Sequence, residues 1–186
     1  EERQRLLSDA IARDAGPRGE LDALGKRTLS VFDAVMQGRH RYGPRAVGHF
    51  VISRASGADD VLAALLLARW AEAYDKRTGE IALDFAPMFD SVASLEGCGA
   101  TMRNLLADPV YRRHLEARGR RQCALVGYSN SNKDGGLCAS RFAVYQAQRD
   151  LARVLGEAGE KLVICHARGG SIARGGGRIS ALANSV

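Results

Sequence analysis

Short apolar segments alternate with longer helical patterns along this chain, and that alternation is the strongest constraint on its fold. Hydrophobic periodicity predicts four strands, at 49–53, 81–89, 122–128 and 162–166. It predicts helices between them, at about 61–74, 94–106, 110–117 and 137–155. Because a repeated strand–helix order favours parallel strands with right-handed crossovers, we expect an α/β fold.

Two α/β architectures are compatible with this order. Residues 1–45 form a helical lead-in, with helices expected at about 2–14 and 19–38, and residues 46–186 form four β/α units. Four units are half of a (β/α)8 barrel, which typically needs ~250 residues, and an open doubly wound sheet is the alternative. Because the 186 residues begin in helical sequence and stop soon after a glycine-rich segment, we expect a single segment of a larger chain.

Composition excludes several classes of protein. Hydrophobic residues make up 46% of the chain, which is enough for a core, and Lys plus Arg outnumber Asp plus Glu by 27 to 21. The longest apolar stretch, 61–68, is far shorter than the ~20 residues of a membrane helix. The start, EERQRLLSDA, mixes acidic and basic residues and is polar, whereas a signal peptide places a basic start before an apolar block. We therefore expect a cytoplasmic protein with no membrane segment.

The cysteines are widely spaced. No two are closer than 15 residues, so the chain lacks the C-x-x-C pair that structural zinc sites normally use. We interpret all four as reduced, mostly buried thiols, with a disulfide or a metal site as the alternatives. They are Cys98, Cys123, Cys138 and Cys165.

Polar segments follow the predicted strands, at the ends where parallel α/β proteins bind ligands. Residues 53–57 are interpreted as a solvated turn. Asp90 closes the second strand, where it could ligate a divalent cation or cap the next helix. Residues 127–136 follow the third strand and are rich in glycine and polar side chains. We expect their backbone amides and Lys133 to face an anion.

The fourth strand leads into a cationic segment, HARGGSIARGGGR, at 166–178. From Lys161 to Val186 the chain has four Lys and Arg residues and no acidic one. Glycines let a backbone approach a ligand closely, and arginines bind phosphate or carboxylate oxygens through two hydrogen bonds. An anion pocket is the favoured interpretation, and a flexible tail or an RGG-type RNA-binding segment is the alternative.

Two long motifs carry a resemblance to a known family. The stretch GYSNSNKDGG at 127–136 resembles the G-Y-S-D-S-x-K-D-x-G stretch of phosphoenolpyruvate carboxylase. The stretch CHARGGSIARGGG at 165–177 resembles that family's F-H-G-R-G-G-[ST]-[IV]-G-R-G-G segment. The stretches APMFD with SVASL, and HFVISRASGADDVLAALLL, resemble two further family segments. All four lie in the family's order, so the resemblance covers most of the chain.

The resemblance implies a lyase that fixes carbon dioxide. Such an enzyme adds bicarbonate to phosphoenolpyruvate and gives phosphate and oxaloacetate, an intermediate of the tricarboxylic acid cycle. Mg²⁺ or Mn²⁺ is the implied cofactor, and part of a (β/α)8 TIM-type barrel with additional helices is the implied fold. The implied partners are the two substrates and either a homo-oligomer or the remainder of a larger chain, in the cytoplasm. Neither a membrane nor a nucleic acid is expected.

The resemblance also implies roles for individual residues. Asp90 and Asn130 match the family's two metal-binding acids. His166 matches a histidine suited to proton transfer at neutral pH, and Lys133 matches a lysine placed to help bind bicarbonate. Catalytic or substrate-binding roles are expected for the arginine–glycine segment, at Arg168, Gly169, Gly170 and Arg174.

The chain departs from the family pattern at the metal positions. Asp90 stands where the family has Glu, and Asn130 stands where it has Asp, so the charge of the pair falls from −2 to −1. Mg²⁺ requires near-ideal oxygen geometry, and both changes should weaken its binding. Ala167 and Ala173 also replace family glycines. A non-catalytic module of the same fold that binds anions or regulates is therefore the alternative function.

Overall fold

The computed structural model describes residues 1–167, and residues 168–186 lie outside the described part of the chain. The α/β class and all four predicted strands are confirmed. No helix in residues 1–167 is both long enough and apolar enough to cross a membrane. The elements are α1 (Glu2–Ala12), α2 (Ala23–Tyr42), β1 (His49–Ile52), α3 (Ala58–Trp70), β2 (Asp84–Phe89), α4 (Val92–Ala107), α5 (Pro109–Ala117), β3 (Arg121–Gly127), α6 (Ser129–Glu157) and β4 (Lys161–Ala167).

The four strands form one parallel sheet in the order β1-β2-β3-β4. Phe50 of β1 lies opposite Phe85 of β2, and Leu125 of β3 lies opposite both Met88 of β2 and Cys165 of β4. The spatial order follows the chain order without a reversal, so the carboxyl ends of neighbouring strands meet along one edge of the sheet.

The core lies on one face of the sheet, where α3, α4 and α6 pack. Phe85, Phe89 and Val126 point into it, because alternate residues of a strand share a face. The intervening residues form the second face of the sheet and lie outside the core cluster. Beyond the charged residues at the amino ends of the strands, they are also apolar. The apolar residues of the second face are Val51, Ala86, Met88, Cys123, Leu125, Val163 and Cys165.

Side-chain caps determine where α4 and α5 begin. Ser91 accepts a hydrogen bond from the backbone N–H of Ser94, and the Ser94 hydroxyl accepts one from the backbone N–H of Ser91. This reciprocal pair satisfies donors that α4 would otherwise leave free. Asp108 caps α5 by accepting from the N–H groups of Val110 and Tyr111.

An ionic cluster joins the amino ends of three strands. Asp84, only 6% exposed, accepts hydrogen bonds from Arg118 at 2.6 Å and Arg121 at 3.2 Å. Nε2 of His49 lies 3.9 Å from the same carboxylate. Asp84, Arg121 and His49 each begin a strand, so the cluster lies at the opposite edge of the sheet from the carboxyl ends.

Several element boundaries in the structure differ from those predicted. Helix α2 continues through Gly38 to Tyr42, because a glycine lowers helix stability without forbidding the conformation. Strand β2 begins at Asp84, and Ile81 instead forms an isolated antiparallel bridge with Tyr74. Most of the segment 127–136, predicted as a loop, belongs to α6, whose helical geometry breaks at Gly136 with φ = 76°.

We expect His114 to make the stability of the chain fall between about pH 6.5 and pH 4. Burial, together with Arg118, lowers the pKa of His114 to about 4, whereas an unfolded histidine has a pKa of about 6.5. Between these two pKa values the unfolded state binds a proton and the folded state does not. The free energy of unfolding is therefore highest above about pH 6.5 and decreases as the pH falls. The loss approaches ~3 kcal/mol below pH 4.

Urea denaturation at a series of pH values tests this expectation. His114→Gln retains a hydrogen-bond donor but does not titrate, so its stability should change less across the window than that of the parent chain. His40→Gln, at an exposed histidine of α2, is the matched control and should follow the parent. Parallel curves for the His114 variant and the parent would contradict the assignment.

Candidate active site

A cleft of about 540 Å³ opens at the carboxyl edge of the sheet. It is lined by the segments that connect β1 to α3 and β2 to α4, by α4, and by the first turns of α6, which follow β3. The structure brings together three of the predicted site residues in this cleft. Its polar lining includes Arg54, Ser56, Asp90, Asn130, Lys133 and Asp134.

Asp90 and Asn130 are directly bonded across two strand ends. The Asn130 Nδ2 group donates to Oδ2 of Asp90 at 2.7 Å, and Asp90 is only 6% exposed. The backbone N–H of Asp90 donates to the Ser94 hydroxyl, which ties the carboxylate to the capping turn of α4. The pair carries one negative charge, and rotation of the amide would turn its oxygen towards a cation that takes oxygen ligands.

Gly127 permits this close approach. A Cβ atom built at Gly127 would lie 2.5 Å from Cβ and 3.0 Å from Cα of Asp90. Separations this short do not occur between real side chains, so any larger residue would push Asp90 away from its position beside Asn130. The last residue of β3 must therefore be glycine for the pair to form.

Two cations face the same cleft. Lys133 is exposed in the first turns of α6, and Arg54 follows β1 with φ = 55°. Neither side chain forms an ion pair with any residue in 1–167. By contrast, Asp134 is engaged, since its Oδ2 accepts from the backbone N–H of Val92. Lys133 and Arg54 are thus available to an anionic ligand.

Arg54 is the residue that the sequence interpretation missed. Residues 53–57 were expected to form a solvated turn, and the structure places Arg54 and Ser56 in the wall of the cleft. The position of Arg54 directly after a predicted strand was the sequence feature that could have identified it as a site residue. Ser56 also orders this wall. Burial alone would raise the pKa of Asp60, but hydrogen bonds from the backbone N–H and the hydroxyl of Ser56 lower it.

His166 lies at the same edge, on the last described strand. Its Nδ1 atom is 2.5 Å from the hydroxyl of Tyr128, whose ring is 4% exposed and lies under the guanidinium of Arg141. In register, His166 lies opposite Val126 of β3. The other predicted site residues, Arg168, Gly169, Gly170 and Arg174, lie outside the described residues.

A metal cluster of three or more His, Cys, Asp or Glu side chains does not occur in residues 1–167. The cleft therefore offers one buried carboxylate, one amide and two exposed cations. This set can bind a small polyanion through the cations and can contribute two oxygen ligands to a divalent ion.

Comparison with known proteins identifies the chain's relatives. A family model described as phosphoenolpyruvate carboxylase matches residues 1–183. Among proteins named phosphoenolpyruvate carboxylase, that of Xanthomonas oryzae pv. oryzae is 44% identical over 171 residues, covering 92% of this chain and 19% of the relative. That of Mycobacterium avium is 37% identical over 182 residues, covering 95% of this chain and 20% of the relative. The chain thus spans about a fifth of the length of these relatives.

We expect Gly127→Ala to destabilise the chain by ~1–3 kcal/mol, because the new methyl group overlaps Asp90. Gly97→Ala is the matched control. Gly97 lines the same cleft from α4, but a Cβ there meets no atom within 4 Å, and alanine favours an exposed helix by up to ~1 kcal/mol. Urea midpoints measure both effects. Equal destabilisation by the two substitutions would show that β3 does not need a glycine beside Asp90.

Proposed function

Because this chain belongs to the phosphoenolpyruvate carboxylase family, we propose that it carries part of the site that converts phosphoenolpyruvate and bicarbonate to oxaloacetate and phosphate. The observation that carries the proposal is the convergence of Asp90, Asn130 and Lys133 on one cleft. These are the described positions at which the family motifs place metal-binding and bicarbonate-binding residues. The remaining four-fifths of the length of the relatives would supply the rest of the site and complete the activity.

The fold supports a finer proposal, that the sheet is half of a (β/α)8 barrel. A doubly wound sheet reverses its strand order at a switch point, whereas the order here follows the chain throughout residues 1–167. A barrel also fills its interior with apolar side chains. The second face of the sheet is apolar and lies outside the core of the described residues, as the inner wall of a barrel would. The remainder of a larger chain would then cover this face, in a cytoplasmic protein that functions as a homo-oligomer.

The cleft fits the divalent cation that the family resemblance implies. Asp90 and Asn130 would hold Mg²⁺ or Mn²⁺ through one carboxylate and one amide oxygen, and Mg²⁺ sites commonly use few protein ligands with water and substrate oxygens. The bound ion would stabilise negative charge on phosphoryl and enolate oxygens. With one negative charge in place of two, we expect weaker affinity than a pair of carboxylates would provide.

The cationic residues would bind the substrates. Lys133 and Arg54 face the cleft without acidic partners in residues 1–167, so they can attract bicarbonate and the carboxylate of phosphoenolpyruvate. Arg168 and Arg174, with Gly169 and Gly170, would bind the phosphate. These four are proposed from the motif alone.

His166 would hold the proton that the reaction moves. The hydroxyl of Tyr128 hydrogen-bonds with Nδ1 of His166 and so holds the imidazole at the carboxyl edge of the sheet, where a histidine is suited to proton transfer near neutral pH. Arg141 lies over the Tyr128 ring at 5.1 Å and helps to hold that ring in place. The role of Tyr128 in this arrangement is positioning.

One observation favours a second candidate, a non-catalytic module that binds anions. The amide of Asn130 already donates a hydrogen bond to one oxygen of Asp90, so this carboxylate has a partner within the chain itself. A chain with this arrangement could bind phosphoenolpyruvate through its cations and release it unchanged.

A coupled assay separates these functions. Oxaloacetate formed from phosphoenolpyruvate and bicarbonate is detected by NADH loss with malate dehydrogenase. We expect poor or no turnover from the isolated chain, because its second face and sheet edges are uncovered. We expect turnover when residues 1–183 replace the matching segment of the Xanthomonas oryzae relative, and loss of turnover when Arg168→Ala is added.

The remaining outcomes of this assay have defined meanings. Phosphoenolpyruvate binding without turnover in the chimaera would support the anion-binding module instead. Nucleic-acid affinity that falls steeply with salt would support RNA binding through the arginine–glycine segment. Robust turnover by the purified 186-residue chain would contradict the expectation that this chain requires a covering partner.

We expect Asn130→Asp to tighten Mn²⁺ binding by about fivefold or more. A second carboxylate beside Asp90 adds one negative charge at contact distance, and such a charge contributes ~1 kcal/mol even when fully solvated. Titration of free Mn²⁺ by electron paramagnetic resonance measures the affinity. Asn104→Asp, which makes the same charge change at an exposed position of α4, is the control and should leave the affinity unchanged. Equal affinity in the parent and the Asn130 variant would remove Asn130 from the metal site.

A further inference from the structure

Two cysteines meet on the second face of the sheet, away from the cleft. Cys123 of β3 and Cys165 of β4 place their Sγ atoms 3.6 Å apart. Cys123 is 2% exposed and Cys165 is partly exposed. The other two thiols are separate from this pair, because Cys98 contacts α6 from within the helical core and Cys138 is exposed on α6.

The backbone geometry does not suit a disulfide between them. Cys123 lies opposite Val163, and Cys165 lies opposite Leu125, so the two cysteines are diagonal neighbours two residues out of register. With strands ~4.8 Å apart and a rise of ~3.3 Å per residue, their Cα atoms are about 8 Å apart. Disulfides usually need Cα separations of about 4.4–6.8 Å, so closing this bond would require the strands to shift.

The sulfur separation instead suits two bonds to one larger atom. For a metal with ~2.3 Å bonds to sulfur in tetrahedral geometry, two sulfur ligands lie ~3.8 Å apart. The observed 3.6 Å is close to this value without movement of the backbone. Thiolates select soft centres. The pair supplies two sulfur ligands at a fixed separation, which suits a centre that forms two bonds to sulfur.

The environment of Cys123 disfavours its thiolate form. Burial, with the hydrogen bond to Cys165 and its charge, raises the pKa of the Cys123 thiol to about 12. Thiolates, not thiols, react with oxidants and alkylating reagents. Reactions that involve one thiol are therefore slow at Cys123. A reagent that bonds to both sulfur atoms reacts more readily, because the two Sγ atoms are already close together.

We propose that Cys123 and Cys165 form a dithiol site for soft, thiophilic centres, with trivalent arsenic as the type of ligand it takes. Phenylarsine oxide is the probe. It condenses with the pair so that two As–S bonds form, the arsenic–oxygen bond breaks, and the two thiol protons leave with the oxygen as one water. No electron transfer occurs, so neither an oxidant nor a reductant is required. The site does not require carboxylase activity. Because the two cysteines lie on the second face, which the remainder of a larger chain would cover, the probe is applied to the 186-residue chain.

Intact-mass and peptide analysis of the reduced chain tests the site directly. We expect one adduct with the mass of phenylarsine oxide less one water, stable to a monothiol and removed by 2,3-dimercaptopropanol. Trypsin cuts after Lys and Arg, so the arsenic should join the peptides 122–133 and 162–168, which contain Cys123 and Cys165. This mapping uses the unmodified chain and does not depend on whether a variant folds. Arsenic on any other peptide, or the absence of an adduct, would overturn the proposal.

Cysteine variants provide the matched comparison. Cys165→Ser and Cys123→Ser should each lose the adduct, while Cys138→Ser, at the exposed thiol of α6, should retain it. Circular dichroism confirms that each variant is folded. Retention of the adduct by a folded Cys165 variant would contradict the site, as would its loss in the Cys138 variant. Treatment with hydrogen peroxide supplies a further test, because rapid disulfide formation between Cys123 and Cys165 would contradict the geometry that favours a bridging atom.

Discussion

The contact between the ends of β2 and β3 is the feature on which the candidate site depends. Gly127 lets the backbone of β3 pass directly beside Asp90, where a Cβ would lie within 2.5 Å of the Asp90 side chain. That approach brings the first turn of α6 close enough for Asn130 to donate to the carboxylate. A Cβ atom at position 127 would therefore disturb the contact between Asp90 and Asn130 on which the proposed site rests.

The charged residues at the two edges of the sheet differ in whether they have partners. Those at the amino edge are paired within the fold, whereas the cations at the carboxyl edge have no acidic partner in residues 1–167. At the amino edge, Asp84 is surrounded by Arg118, Arg121 and His49, so the buried carboxylate has its charge compensated within the fold. At the carboxyl edge, Lys133 and Arg54 have no acidic partners in the described residues. A cation with a partner stabilises a fold, whereas a cation without one can bind a ligand. Parallel strands make this division possible because all their carboxyl ends lie at one edge.

Much of the fold and part of the site could be predicted from sequence. The periodicity of apolar residues predicted the four strands. The rule that ligands bind at the carboxyl ends of parallel strands then placed Asp90, Asn130 and Lys133 at one edge of the sheet. The start of α6 was missed because the polar and glycine-rich letters of 129–136 are typical of loops, although most of these residues are helical. The register of β3 and β4 could not be predicted either, because no local pattern shows that Cys123 and Cys165 are diagonal neighbours. Long-range pairing depends on contacts that a single sequence does not contain.

The Asn130–Asp90 hydrogen bond connects the family's chemistry to this chain's departures from it. Two carboxylates at this separation would repel each other unless a cation or a shared proton lay between them. The amide removes that repulsion by donating to Oδ2 of Asp90, so the pair is stable without a cation. A cation must then replace an existing hydrogen bond as well as shed water, and its net gain is smaller than at a site strained by two negative charges. We therefore expect Asn130 to stabilise the position of Asp90 and to give the proposed cation a lower affinity than a second carboxylate would.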